Sequence, residues 1–130
     1  MITNFEDITK ELSKEDYGLL VQLIKGFERR TKLDPIKAPE IVKAMNNANP
    51  QLKSKFTAVK LRKLTNFIRS KGMIGLIATS DGYYTSKDLN EIRKQIQSLR
   101  ERADAIGNSA DGLEKYLQRL IKNGARLGIS

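Results

Sequence analysis

Apolar residues recur at alternating spacings of three and four along the last third of the chain, which is the repeat of a helix with one continuous apolar seam. An unbroken helix over residues 89–120 would be roughly 48 Å long at about 1.5 Å per residue, which exceeds the width of a small domain. Part of the seam therefore needs a partner surface. The seam consists of Leu89, Ile92, Ile96, Leu99, Ala103, Ile106, Ala110, Leu113, Leu117 and Leu120.

Two arrangements satisfy this seam. A second copy of the chain can cover it, which predicts a homodimer held by Leu89, Ile92, Ile96, Leu99, Ile106, Leu113, Leu117 and Leu120. Alternatively, the weak helix formers between Gly107 and Gly112 allow a turn, and two shorter helices fold back as a hairpin. With Leu89 at position a and Ile92 at position d of a heptad, Arg93 and Arg100 lie at e positions. In parallel helices they would face Gln95 and Arg102 at g, which gives no attractive charge pattern, so antiparallel pairing also stays open.

Three helices are expected before the seam. The first is capped by Ser13 and ends near Arg30, and the second begins at Pro39 and stops near Asn46. A third helix over residues 57–71 is capped by Thr57, carries Leu61, Leu64 and Ile68 inward, and ends at Gly72.

A β-hairpin is expected after the third helix. Residues 73–80 favour a strand, Asp81 and Gly82 form a strong two-residue turn signal, and residues 83–85 return as the second strand. Because neighbouring residues on a strand face opposite sides, we expect one of Tyr83 and Tyr84 to pack on the core and the other to be free. Ser86 is the expected cap of the last helix.

This element order predicts a mainly α protein with a small β-hairpin: a winged helix-turn-helix domain followed by a long C-terminal helix. The expected organisation is an arm or short helix over residues 1–12, the winged-helix domain over 13–86, and a dimerisation or packing segment over 87–130. A generic α+β domain with a basic surface is the alternative.

Three segments resemble winged-helix proteins of bacteriophages and mobile elements: DPIKAPEIVKAMN, FTAVKLRKLTNFIRSKGMIGLIATSDGYY and SKDLNEIRKQIQSLRERADAI. In that family, a basic third helix leads to a wing that ends in Gly-Tyr-Tyr. The resemblance extends from Ser13 to about Ile106 and implies the winged-helix fold.

The positive charge is concentrated in one part of the chain. The net charge is +9, and no acidic residue occurs between Glu40 and Asp81, which suits repeated contact with phosphates. Side chains pointing outward near the start of the third helix are the ones that would face base edges in a major groove: Ala58, Val59, Arg62, Lys63 and Asn66. The expected phosphate contacts are Lys53, Lys55, Lys60, Arg69 and Lys71.

Enzymatic chemistry is not expected. The chain has no cysteine and no histidine, and neither a metal-ligand spacing nor a phosphate-binding glycine loop occurs, so we expect no catalytic residue, cofactor, metal or small-molecule substrate. No segment has the length and apolarity of a membrane span, and the N-terminus lacks the pattern of a secretory signal. We expect the cytoplasm of a bacterial host, with nucleoid association when bound to DNA.

The sequence therefore predicts a non-catalytic double-stranded DNA-binding protein, a transcriptional regulator or replication accessory of a phage or mobile element. The alternative is a protein-interaction adaptor or inhibitor of a host nucleic-acid machine on the same scaffold. A third hypothesis, single-strand binding, needs exposed stacking platforms, for which Tyr83, Tyr84 and Tyr116 are the candidates.

Overall fold

The computed structural model describes residues 12–124. The expected arm over residues 1–12 lies, apart from Leu12, outside these residues. The elements in chain order are α1 Lys14–Glu28, α2 Ala38–Ala48, α3 Ala58–Ser70, β1 Leu76–Thr79, β2 Gly82–Thr85 and α4 Leu89–Lys122. The protein is thus mainly α with a two-stranded antiparallel hairpin and a long last helix, as the sequence predicts.

The chain divides into two compact units between Ile92 and Arg93, inside α4. We call the described residues 12–92 the N-terminal unit and 93–124 the C-terminal unit. The core lies in the N-terminal unit, where α1, α2, α3 and the hairpin contribute the buried side chains, among them Leu20, Phe27, Ile41, Leu64 and Leu76.

Helix α1 begins as expected, because the Ser13 hydroxyl accepts a hydrogen bond from the Asp16 backbone N–H at 3.0 Å. Its last turn is joined to the hairpin. The Thr85 hydroxyl donates to the Phe27 carbonyl at 2.8 Å, and the Tyr83 ring lies 5.5 Å from the Phe27 ring. These contacts hold the hairpin against the C-terminal end of α1.

Two asparagines shape the connection from α2 to α3. The Asn46 amide accepts from the Phe56 N–H at 2.7 Å and donates to the Phe56 carbonyl at 2.9 Å. One side chain thus pairs with both backbone groups of Phe56, as the backbone of a neighbouring strand would. Asn49 is buried and exchanges two hydrogen bonds of 2.9 Å with Gln22 on α1. These bonds satisfy the buried Asn49 amide and join the end of α2 to α1.

The predicted signals at both ends of α3 are confirmed. The Thr57 hydroxyl accepts from the Lys60 N–H at 3.2 Å, and Gly72 follows the helix with φ of +61°. Leu61, Leu64 and Ile68 are buried, as their spacing predicts.

The hairpin differs from the expectation at its turn. Thr79 pairs with Gly82, so the two-residue loop consists of Ser80 and Asp81, and Gly82 is the first residue of β2. Gly82 has φ of +129°, and a Cβ there would lie 2.6 Å from the backbone carbonyl of Ile36. The close approach exists because Ile36 and Tyr83 exchange two backbone hydrogen bonds of 2.8 and 2.9 Å, an additional bridge at the edge of β2.

Neither tyrosine of β2 is free, which corrects the expectation that one would be. Tyr84 is 5% exposed, and Tyr83 is half-buried and packs against the core. Both faces of the short hairpin carry buried side chains, since Leu76 and Ile77 are neighbours in β1 and both are buried.

Helix α4 is continuous from Leu89 to Lys122, including Gly107 and Gly112, so the fold-back alternative is not what the chain adopts. Its cap is Asp88 and not Ser86: the Asp88 carboxylate accepts from the N–H groups of Asn90 and Glu91 at 2.8 and 3.1 Å. Ser86 instead accepts from the Asp88 N–H. No residue of α4 is buried.

Three helices, a hairpin and a final long helix, together with the Ile36 bridge, form a topology that resembles a winged helix. No helix among residues 12–124 combines the length and apolarity that crossing a membrane requires.

Candidate nucleic-acid interface

The outward face of α3 carries a row of exposed side chains. Val59, Arg62, Lys63 and Asn66 follow the spacing of three and four that puts residues on one side of a helix, and all four are exposed. We call them the α3 stripe. Ala58, beside the stripe at the first helical position, is exposed as well. The structure thus places the five residues predicted to read bases on one side of α3, within its first nine residues.

Two predicted phosphate contacts precede the helix. Lys53 and Lys55 lie in the connection between α2 and α3, and both are exposed. The next residue, Phe56, is 2% exposed and is held by both hydrogen bonds to Asn46. The two lysines are therefore close in sequence to an anchored residue next to the N-terminus of α3.

An acidic side chain from α1 lies against α3. The Asp16 carboxylate accepts from the Lys60 ammonium at 2.8 Å through one oxygen and from the Lys63 ammonium at 3.0 Å through the other. The Asp16 side chain is 4% exposed, whereas those of Lys60 and Lys63 are 33% and 54% exposed. The segment between Glu40 and Asp81 has no acidic residue of its own, but the fold places an acidic residue of α1 beside it.

The protonation of Asp16 follows from these contacts. Burial raises the pKa of the Asp16 carboxyl, but the hydrogen bonds and positive charges of Lys60 and Lys63 outweigh burial and hold this pKa below its ordinary value. The carboxylate is therefore charged at neutral pH and offsets one of the two positive charges. Lys60, predicted to contact phosphate, and Lys63, predicted to read bases, each have a protein partner in this structure.

The remaining predicted phosphate contacts lie at the other end of α3. Arg69 and Lys71 are half-buried, and the Lys71 ammonium lies 5.6 Å from the centroid of the Phe67 ring. Their cationic groups thus belong to the same helix as the stripe but are less accessible than those of Lys53 and Lys55.

The hairpin offers little to an anion. From residue 76 to 85 it carries no lysine or arginine, and Asp81 lies in its turn. Burial, together with the nearby negative charge of Glu91, raises the pKa of the Tyr84 hydroxyl. Since Tyr84 is buried and Tyr83 packs on the core, Tyr116, at 52% exposed, is the most accessible of the three tyrosines considered for base stacking.

Sequence reasoning missed two residues that shape this region. In the sequence, Asp16 has the common place of an acid three residues after a capping serine, and nothing local indicates that its side chain contacts α3. Ile36, between Pro35 and Lys37, gives no strand pattern because its pairing involves a single residue. The sequence feature that reflects this close approach is Gly82 in the hairpin signal.

Within residues 12–124, no group of three His, Cys, Asp or Glu side chains is arranged to hold a metal ion. The chain matches no protein-family model, and it has no significant match among curated proteins or solved structures.

Proposed function

We propose that this protein binds double-stranded DNA without catalysis, with α3 in the major groove, and serves a phage or mobile element as a transcriptional regulator or replication accessory. The observation that carries the proposal is the α3 stripe: an exposed row on one helix, in a segment that contributes no acid of its own. An α-helix fits the major groove, and such a row is what reaches base edges there.

Three residues of the stripe, together with Ala58 beside it, would contact bases in this proposal. The Arg62 guanidinium donates two parallel hydrogen bonds to a guanine, and the Asn66 amide pairs with an adenine. Val59, which is 66% exposed, and Ala58 contact thymine methyl groups, which explains why an apolar side chain is left in water at this position.

Phosphate contacts come from Lys53 and Lys55 before α3 and from Arg69 and Lys71 near its end, and they orient the protein without selecting a sequence. Lys60 contributes in competition with Asp16, which already accepts a hydrogen bond from its ammonium. A phosphate that approaches this side of α3 therefore has to share or replace a carboxylate partner, which reduces the affinity for any duplex.

The test is selection from a random duplex library at two salt concentrations, followed by titration of the selected and a scrambled duplex. The wild-type chain is compared with two double variants, Arg62→Ala with Asn66→Ala and Lys53→Ala with Lys55→Ala. The matched control replaces two exposed lysines of α4, Lys94 and Lys115, so that its net charge changes as much as that of the Lys53 and Lys55 variant.

We expect the stripe variant to lose most of the preference for the selected duplex while it keeps salt-dependent binding. The Lys53 and Lys55 variant should weaken binding to both duplexes and reduce the slope of log K against log salt by about 2. The control should leave both properties near wild type.

No retention of any duplex near physiological salt would refute DNA binding. In that case the basic region faces another partner, and the adaptor or inhibitor of a nucleic-acid machine becomes the better hypothesis.

A further inference from the structure

The C-terminal unit presents an apolar face that the described residues 12–124 leave exposed. Ile106 and Leu113 are each 72% exposed, and Leu117 and Leu120 are 45% and 39% exposed. These residues continue the spacing of three and four on one side of α4, so the exposed apolar surface is contiguous.

The middle of this face is built from small residues. Ala103 and Ala110 occupy two a positions, and Gly107 lies beside them at an e position. A glycine inside a helix costs about 1 kcal/mol relative to alanine, and a Cβ at Gly107 would meet nothing within 4 Å. Contacts among residues 12–124 therefore do not explain the glycine.

We propose that α4 pairs with α4 of a second copy in antiparallel orientation, with Gly107 crossing the partner's Gly107. In this register every small core residue faces a large one: Ala103 packs on the partner's Leu113, and Ala110 on the partner's Ile106. The outer layers join Leu99 to the partner's Leu117 and Ile96 to the partner's Leu120. Alternation of large and small residues across a helix interface gives dense packing.

The charges beside the core support the same register. Antiparallel helices bring e positions together, so Arg100 lies opposite the partner's Glu114, and symmetry repeats this ion pair. At the g positions, Arg102 lies opposite the ring of the partner's Tyr116, where a cation can stack.

A parallel pair in register is disfavoured by the same residues. It would stack Ala103 on the partner's Ala103 and Ala110 on the partner's Ala110, which leaves two thin layers in the core. Arg100 would face the partner's Gln95 and gain no ion pair.

The antiparallel register displaced by one heptad toward the N-terminus is also disfavoured, since it would place Ile92 in the dimer core. The opposite displacement would set Ile96 and Leu99 against positions beyond Lys122, where α4 ends. Ile92 is half-buried in the N-terminal unit, and its Cδ1 lies 3.4 Å from the position of a Cβ on Gly75. The register centred on Gly107 uses seam residues from Ile96 onward and leaves Ile92 in place.

Cysteine cross-linking tests orientation and register directly, because the chain contains no native cysteine. Ala103→Cys and Leu113→Cys proteins, one of them carrying a mass tag, are mixed and oxidised under mild conditions. We expect the disulfide between the two variants to dominate, with little linkage of either variant to itself. A Lys115→Cys protein, with its thiol at an f position outside the interface, is the control for random oxidation.

Self-linkage of Ala103→Cys as the main product would overturn the antiparallel orientation, and a dimer without the mixed disulfide would overturn the register. A monomeric mass in sedimentation equilibrium at about 100 µM would overturn the pairing as a whole, since a coiled coil of this length should assemble at that concentration.

Charge exchange gives an independent readout. Arg100→Glu and Glu114→Arg should each raise the dimer dissociation constant several-fold, and the double variant should restore it. The two positions are 14 residues, or about 21 Å, apart on one helix, so restoration requires contact between copies. Absence of restoration would contradict the proposed ion pair.

Duplex binding by a monomer would leave the proposed function intact while refuting the dimer, and a dimer that binds no duplex would do the reverse. The two proposals therefore fail separately.

Discussion

The N-terminal and C-terminal units use the same kind of helix to opposite effect. Helices α1 to α3 each have an apolar side that is buried in one shared core, and Leu20, Leu64 and Ile68 show no exposure at all. Helix α4 has an equally regular apolar side, yet none of its residues is buried. Amphipathic spacing therefore indicates that a helix needs a partner surface but not whether the partner lies in the same chain.

The polar contacts of the two units also differ in how far apart their residues lie in the sequence. In the N-terminal unit, side chains far apart in sequence bind one another, as Asp16 binds Lys60 and Lys63 and Asn49 binds Gln22. In the C-terminal unit, Gln97 binds Glu101 and the Ser109 hydroxyl donates to the Ala105 carbonyl, each four residues away. Long-range contacts specify one tertiary structure, whereas local ones only support a helix.

The largest contrast is expected from deleting one leucine in each unit. Leu64→Ala removes a side chain with 0% exposure and should lower the free energy of unfolding by about 3–4 kcal/mol, because it leaves a cavity. Leu113→Ala, from a residue that is 72% exposed, should cost less than about 1 kcal/mol at low protein concentration. Urea unfolding followed by circular dichroism measures both.

Equal losses from the two leucine variants in dilute protein would show that α4 is covered within its own chain. At high concentration, Leu113→Ala should instead weaken the dimer, and sedimentation would detect it.

The second effect concerns the hairpin. Gly82→Ala should destabilise the N-terminal unit by about 2–3 kcal/mol, since φ is positive and the new Cβ would collide with the Ile36 carbonyl. Thermal unfolding of the variant measures the loss, with Asp81→Ala in the exposed turn as control. A near-wild-type midpoint for Gly82→Ala would mean that Ile36 and Tyr83 do not pair as described.

The third effect concerns the charge that α1 places beside α3. Asp16→Asn removes the partner of two ammonium groups and should cost about 1–2 kcal/mol at neutral pH, a modest figure because both lysines retain solvent. Because the folded-state pKa of Asp16 is lowered, the wild type has this stability above the ordinary aspartate pKa and loses it as pH falls through the folded value.

Urea unfolding of wild type and Asp16→Asn across an acid titration separates the two pH profiles, which should converge at low pH. A constant difference at all pH values would assign the effect to packing and not to charge. If the proposed DNA binding holds, Asp16→Asn should also bind duplexes more tightly, with a steeper salt dependence, because Lys60 and Lys63 no longer share a carboxylate.

The smallest effect has the opposite sign. Gly112→Ala, at a c position on α4 with open space around the new methyl group, should stabilise the helix by about 0.5–1 kcal/mol. The helix content of the dilute protein measures this gain in stability. Gly107→Ala should give the same gain in the monomer but weaken the proposed dimer at the crossing point, so a dimer strengthened by both variants would contradict the contact at Gly107.

Much of the fold could be read from local residues. Ser13 and Thr57 cap the helices that they were expected to cap, Gly72 ends α3, and the periodicity of α4 gives its apolar side. The sequence predictions were wrong where two local signals competed. Asp88 caps α4 in place of Ser86, and Gly82 belongs to β2 and not to the turn.

For the candidate interface, the sequence by itself determined which side of α3 is exposed, because the buried spacing of Leu61, Leu64 and Ile68 leaves the stripe on the opposite side. Only the tertiary structure decided that a carboxylate from α1 joins Lys60 and Lys63 and that Ile36 extends the hairpin. The physical reason is the distance along the chain over which each interaction acts. Caps and periodicity act over a few residues, whereas ion pairs and single-residue bridges join positions more than 40 apart in the chain, and no local pattern records them.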